Sequence, residues 1–205
     1  MTSFDRRAKT VTTSQGENLA YDKLLLATGT RVRKLQAPGA KLENIFYLRD
    51  IDDTLSIRKQ MKPGANVVIV GGGYIGLEVA AVAVKIGCHV TVLEGLDRVM
   101  SRVVAPEVSE FYDKVHTDAG VVIRTGMAVT GFEGQGKVER AVVARIDGEG
   151  KPISGSERHF DVDAICAGWG FLPSLELSRA LGCEHRFDPA KGTLVAGDTA
   201  AQAEQ

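Results

Sequence analysis

"VVIVGGGYIGLE", residues 67–78, sets four apolar residues directly against three consecutive glycines, with a fourth glycine soon after. The run "NVVIV" (66–70) is short and uninterrupted, the pattern of a strand buried on both faces. "YIGLEVAAVAVKIG" (74–87) is apolar on most sides of a helix, and Ala80, Ala81 and Ala83 allow it to lie close to a sheet. Gly71, Gly73 and Gly76 fit G-x-G-x-x-G, a weak pattern by itself. Here it follows a strand, opens a helix, and is answered by Glu94 at the end of the next strand, the context that a dinucleotide fingerprint requires. Gly71 permits the tight turn, Gly73 lets the backbone approach a pyrophosphate, and Gly76 lets the helix pack on its strand. Gly72, Tyr74 and Ile75 complete the loop, whose free N–H groups lie at the positive end of the helix dipole.

Glu94 is placed to accept hydrogen bonds from an adenosine ribose and to repel a 2′-phosphate, which favours NAD over NADP. Arg98 and Arg102 stand nearby in sequence and weaken that preference. Glu78, one turn into the helix, has two readings. It complements the helix dipole, or it lines the pocket where a nicotinamide lies.

Working outward, the period alternates between strand and helix. "HVTVLE" (89–94) reads as a second strand and "VVIRTG" (121–126) as a third, parallel one. Between them "APEVSEFYDKVHTDAG" (105–120) carries the marks of a helix: Pro106 near its start, Glu107 and Glu110 toward the positive end, and Gly120 at its close. Val108, Phe111, Tyr112 and Val115 recur at helical spacing and predict a single buried stripe, with His116 on the solvated side. "AVTGFEG", "KVERAVVARI" and "SERHFDV" predict an antiparallel meander, and "DAICAGWG" (163–170) a last buried strand. Upstream, residues 8–22 predict a hairpin, "KLLLATGT" a buried strand closed by Gly29, and "IDDTLSIRKQM" (51–61) a short exposed linking helix. The expected fold is α/β, a Rossmann-like doubly wound parallel sheet with a small antiparallel meander.

The bulk numbers narrow the function. The chain has 205 residues, 25 Lys plus Arg and 26 Asp plus Glu, for a net charge of −1. That balance gives no reason to expect nucleic acid or an anionic membrane as a partner. Cys88, Cys166 and Cys183 lie far apart without metal-ligand spacing, so no metal site is expected and a reducing, cytoplasmic setting is. These cysteines read as small core residues. No apolar segment approaches the ~20 residues of a membrane span. His89, His159 and His185 lack ligand-spaced neighbours, and Trp169 suits either a cofactor edge or a core.

The stretches "YDKLLLATGTRVRKL", "NIFYLRDIDDTLSIR", the glycine-loop segment through Glu94, and "RVMSRVVAPEVSEFY" resemble the FAD-dependent pyridine nucleotide reductases of the ferredoxin, putidaredoxin and rubredoxin reductase type. The resemblance implies that residues 1–50 are the later part of an FAD-binding domain, 51–62 a linking helix, 63–172 an NAD-binding domain, and 173–205 a truncated return toward the FAD domain. It implies FAD contacts for Ala27, Thr28 and Gly29, and for Gly197 and Asp198. Gly168, Gly170 and Pro173 match the glycine-proline motif at the exit from the NAD domain, and Glu78 matches a glutamate beside the nicotinamide, the one catalytic assignment. The family's own first glycine fingerprint has no counterpart in residues 1–20, which contain only Gly16. Residues 158–188 also resemble the FAD subunits of opine oxidase and hydrogen cyanide synthase. The implied activity passes hydride from NADH to FAD and electrons to an iron–sulfur protein. A companion subunit or a homo-oligomer would complete the FAD site; an NAD-binding module, or a fragment without turnover, is the alternative.

Overall fold

The computed structural model describes residues 1–189 and 192–196. The chain divides into two compact units, one of residues 1–30 together with those from 173 onward, the other Arg31–Leu172.

In the larger unit, β1 (Ile45–Tyr47) leads to α1 (Ile51–Gln60) and β2 (Asn66–Val70). Then come α2 (Tyr74–Ile86), β3 (His89–Leu93), α3 (Pro106–Asp118) and β4 (Val122–Arg124). Strands β5 (Met127–Glu133), β6 (Arg140–Arg145) and β7 (Arg158–Asp161) form the meander, and β8 (Ala164–Ala167) returns to the first sheet. The parallel sheet runs β1-β8-β2-β3-β4, and the meander is a separate antiparallel sheet, β7-β6-β5.

Alternation along the central strands assigns each face a partner. Val67 and Ile69 of β2, Val90 and Val92 of β3 and Cys166 of β8 pack with Ala80 and Ala83 of α2 and Ile57 of α1. Val68, Leu93 and Ile165 point the other way, onto Met127, Phe132, Ala141 and Val143 of the meander. Helices therefore cover one face of the sheet and the meander covers the other. The linking helix, expected to be exposed, contributes Ile57, 4% exposed, to the core. Its start is fixed by a reciprocal capping box between Asp50 and Asp53.

Helix α3 departs from its expected orientation. Val108, Phe111 and Val115 are 42%, 62% and 46% exposed, whereas Ser109 and His116 are buried. The Ser109 hydroxyl donates to the Val99 carbonyl, and the His116 ring nitrogens lie 2.9 Å from the Tyr112 carbonyl and 3.1 Å from that of Leu77. Backbone acceptors on α2 and on the loop before α3 thus satisfy a polar stripe, and hydropathy periodicity is blind to such acceptors.

In the smaller unit Ser3–Asp5, Thr10–Thr12 and Asn18–Ala20 form an antiparallel sheet that includes the expected hairpin, and His185–Asp188 pairs with Thr193–Ala196. The run 23–29 is not the expected buried strand: it forms no ladder, and Leu25 is 87% exposed. Strand structure begins only at Thr30, where Thr30–Val32 pairs with Phe171–Pro173. Among the described residues, no helix is long and apolar enough to cross a membrane.

Two tests follow from this packing. In urea denaturation, Phe111→Lys should change stability by no more than about 0.5 kcal/mol, whereas His116→Leu should cost about 1–3 kcal/mol by stranding buried carbonyls; the reverse order would contradict the observed face of α3. Burial also pushes the Cys166 thiol from 9.0 up to about 12, with a smaller contribution from Cys88. The unfolded chain then ionises its thiols first as pH rises, so stability falls above pH 9. Comparing denaturation at neutral and alkaline pH, Cys166→Ala should weaken that fall, and an unchanged slope would show that the thiol takes no part in it.

Candidate functional site

The site is built where β2 stops. Gly71 has φ +108, a conformation that side chains rarely adopt, and a Cβ there would press on the Gly168 carbonyl and Trp169 Cα at 2.9 and 3.1 Å. Its N–H donates to the Leu93 carbonyl at 2.8 Å, which ties the turn to the end of β3. A Cβ on Gly76 would run into the Gly71 carbonyl oxygen, so close approach of α2 to the loop requires glycine there.

Gly72 is held from both sides. Its N–H donates to Glu94 Oε2 at 2.7 Å, and its carbonyl accepts from Met100 N at 2.9 Å. Glu94 Oε1 accepts from Leu96 N at 2.9 Å. A carboxylate offers about four acceptor positions, so each oxygen keeps capacity for a further donor. The loop beyond β3 is itself braced by Arg98, whose guanidinium donates to the Val104 and Ser101 carbonyls at 3.0 and 3.1 Å. Arg98 is thereby committed to its own loop.

Gly73 differs from its neighbours: a Cβ built on it meets nothing within 4 Å. It caps α2 without any side-chain hydrogen bond. The first N–H groups of α2 thus face an open space rather than a capping side chain. That space is a cleft of about 610 Å³ whose lining includes Gly71, Gly73, Tyr74, Glu94, Gly168 and Trp169. The residues fit the pyrophosphate of a dinucleotide: a gap that a side chain at Gly73 would fill, a helix N-terminus at its edge, and a fixed carboxylate beside it.

The fold therefore brings Gly71, Gly73, Tyr74, Glu94 and Gly168 to the lining of one cleft, whereas Gly72 and Gly76 are buried. Ile75 is half-buried, its Cγ2 facing Gly168. Trp169 is 39% exposed, lines the cleft rather than a core, and donates from Nε1 to the Arg33 carbonyl at 2.9 Å, with the Arg33 guanidinium 5.3 Å from its ring. Gly170 accepts from Arg33 N at 3.0 Å, and Pro173 ends the short strand Phe171–Pro173. Glu78 is exposed, one turn along α2 from Tyr74 and on the same side of the helix.

Ala27, Thr28 and Gly29 belong to the smaller unit. There Thr28 Oγ1 donates to the Ser174 carbonyl at 2.8 Å and the Gly29 carbonyl accepts from Ser174 N at 3.0 Å. Gly197 and Asp198 lie outside the described residues. Around Ala27–Gly29, the described residues include no second strand, glycine loop and long helix like those at 66–86. Among the described residues no cluster of His, Cys, Asp or Glu is disposed to hold a metal.

Reading of the sequence missed the clamp supplied by Met100 and the bracing by Arg98. Both act through backbone groups, and the only signal available was their position just after the acidic residue. Arg102, named from the sequence as a neighbour of Glu94, is among the residues that line the cleft.

The model of the pyridine nucleotide-disulphide oxidoreductase family matches residues 1–197. The chain belongs to this family. It is 43% identical over 187 residues to putidaredoxin reductase of Pseudomonas putida, covering 90% of this chain and 42% of that protein. To rubredoxin–NAD(+) reductase of Pseudomonas putida it is 37% identical over 183 residues, covering 89% and 45%. Among solved structures it matches the covalent putidaredoxin reductase–putidaredoxin complex with a TM-score of 0.74 at 41% identity, covering 89% of this chain and 43% of that one. The chain thus spans less than half the length of the curated relatives it matches. The fold shared with this family is the mixed α/β architecture described above, and FAD and NAD(H) are the cofactors that the family implies.

Proposed function

We propose that the unit Arg31–Leu172 is an NADH-binding domain, and that the protein is an oxidoreductase of the ferredoxin reductase type. In the whole protein FAD would supply the acceptor for the hydride of NADH, and an iron–sulfur protein would take the electrons onward. The observation that carries this reading is the open side of Gly73 on a cleft whose rim holds the Glu94 carboxylate.

The residues of this chain do the binding. The α2 N-terminus and the bare Gly73 backbone receive the pyrophosphate. Glu94, held by Gly72 and Leu96, presents its remaining acceptor positions to ribose hydroxyls and sets a negative charge where NADPH would bring a phosphate. Tyr74 and Trp169 flank the cleft with ring surface that shields a nicotinamide from water, and Glu78 on the adjoining turn of α2 is our candidate for the residue beside it. No flavin step is assigned to Ala27, Thr28 or Gly29. A cytoplasmic location goes with this reading, supported by the free buried thiols of Cys88 and Cys166, the state that a reducing compartment maintains.

The test is titration of the purified chain with NADH and NADPH, followed by the change in nicotinamide fluorescence. Gly73→Val should weaken NADH binding by at least about tenfold (~1.4 kcal/mol). Glu94→Gln should narrow the preference for NADH over NADPH. Unchanged affinity in the first variant would remove the fingerprint assignment, and an unchanged preference in the second would reduce Glu94 to a loop brace.

A further inference from the structure

Arginines that share a concavity without carboxylate partners stand at one end of the meander. Arg145 pairs in register with Met127, and Arg158 with Val143. Directly paired residues project from the same face, as do residues two apart on one strand. Arg145 and Arg158 therefore leave the sheet from the face that carries Met127, Ala141 and Val143 into the core, just past the point where the core ends. Arg124, the last residue of β4, meets them there, and with Met127 and Phe160 they line a cavity of about 320 Å³.

The sheet's acidic side chains are on its other face. Glu133 and Asp161 lie opposite Arg140 in the register and take both its ion pairs, at 3.1 and 3.4 Å. Among the described residues, Arg124, Arg145 and Arg158 have no ion pair. Three exposed arginines thus line one cavity together with Met127 and Phe160, while the acidic residues of the sheet strands occupy its other face.

We infer that this cavity is a binding site for a small phosphate-bearing molecule, separate from the glycine loop. Guanidinium forks match the geometry of phosphate oxygens, and a multiply charged oxyanion offsets several neighbouring cations where a single carboxylate does not. The volume suits a small molecule, and the chain's balanced charge argues against a polyanionic strand. Met127 also lines the nucleotide cleft, and the Arg124 carbonyl accepts from Glu94 N at 2.8 Å. The two sites are thus neighbours across one strand end. This inference stands on the arginines alone and does not depend on the nucleotide reading.

The experiment is isothermal titration of the full chain with pyrophosphate, with ADP and with a poly-glutamate peptide. These are compared in the wild type, Arg145→Gln/Arg158→Gln and Arg145→Lys/Arg158→Lys chains, each checked for an unchanged circular dichroism spectrum. Pyrophosphate should bind the wild type, at least about tenfold more weakly to the double Gln variant, and with intermediate strength to the double Lys variant. Dependence on these arginines locates the binding whether or not the glycine loop also takes the anion. Equal arginine-dependent affinity for ADP and pyrophosphate supports a site for the phosphate group, and tighter arginine-dependent ADP binding supports one for a nucleoside diphosphate. No pyrophosphate binding, binding indifferent to the substitutions, or binding of poly-glutamate alone would overturn the proposal.

Discussion

The site hangs on one carboxylate. Glu94 at the end of β3 accepts the Gly72 N–H with one oxygen and the Leu96 N–H with the other, and so joins the glycine loop to the loop beyond the neighbouring strand. A charge-assisted bond of this kind is roughly twice as strong as a neutral one, and here it serves two purposes. It fixes the backbone whose open side defines the cleft, and it orients a negative charge toward the same cleft. Met100 closes the arrangement by donating to the Gly72 carbonyl. With Gly72 held on both sides, Gly73 and the start of α2 are preset before any ligand arrives, which lowers the ordering cost of binding.

That clamp sits on a sheet packed on both faces. Val67, Ile69, Val90 and Val92 bury one face of the central strands under small α2 residues, and Val68, Leu93 and Ile165 bury the other under the meander. The alanines of α2 allow the helix to sit close, and Gly76 removes the side chain that would otherwise hold it off the Gly71 carbonyl. Close packing therefore propagates directly into loop geometry.

Much of this was legible in the residues. The strands β2, β3 and β8, the glycine turn and the acidic residue follow from uninterrupted apolar runs and from a motif in its proper context. Other features were not. β1 is three residues long at a sheet edge, too short for any period to show. The buried face of α3 was misread because Ser109 and His116 find backbone acceptors that no hydropathy pattern records, leaving Phe111 exposed. The apolar run at 23–29 looks like a strand, but strand formation depends on ladder pairing with a neighbour, and the run forms no ladder. The bracing of the glycine loop by Glu94 needed coordinates, because the Gly72 N–H it meets lies on a different strand-end loop.

The most direct test of the account is a ¹⁵N-resolved NMR titration of the chain with NADH. The amides of Gly72, Gly73, Tyr74, Ile75 and Leu96 should move first and furthest, with those of the hairpin at Thr10–Ala20 unmoved. Saturable shifts concentrated elsewhere, or none at all in a folded chain, would contradict the claim that Glu94 and the glycine loop form the nucleotide site.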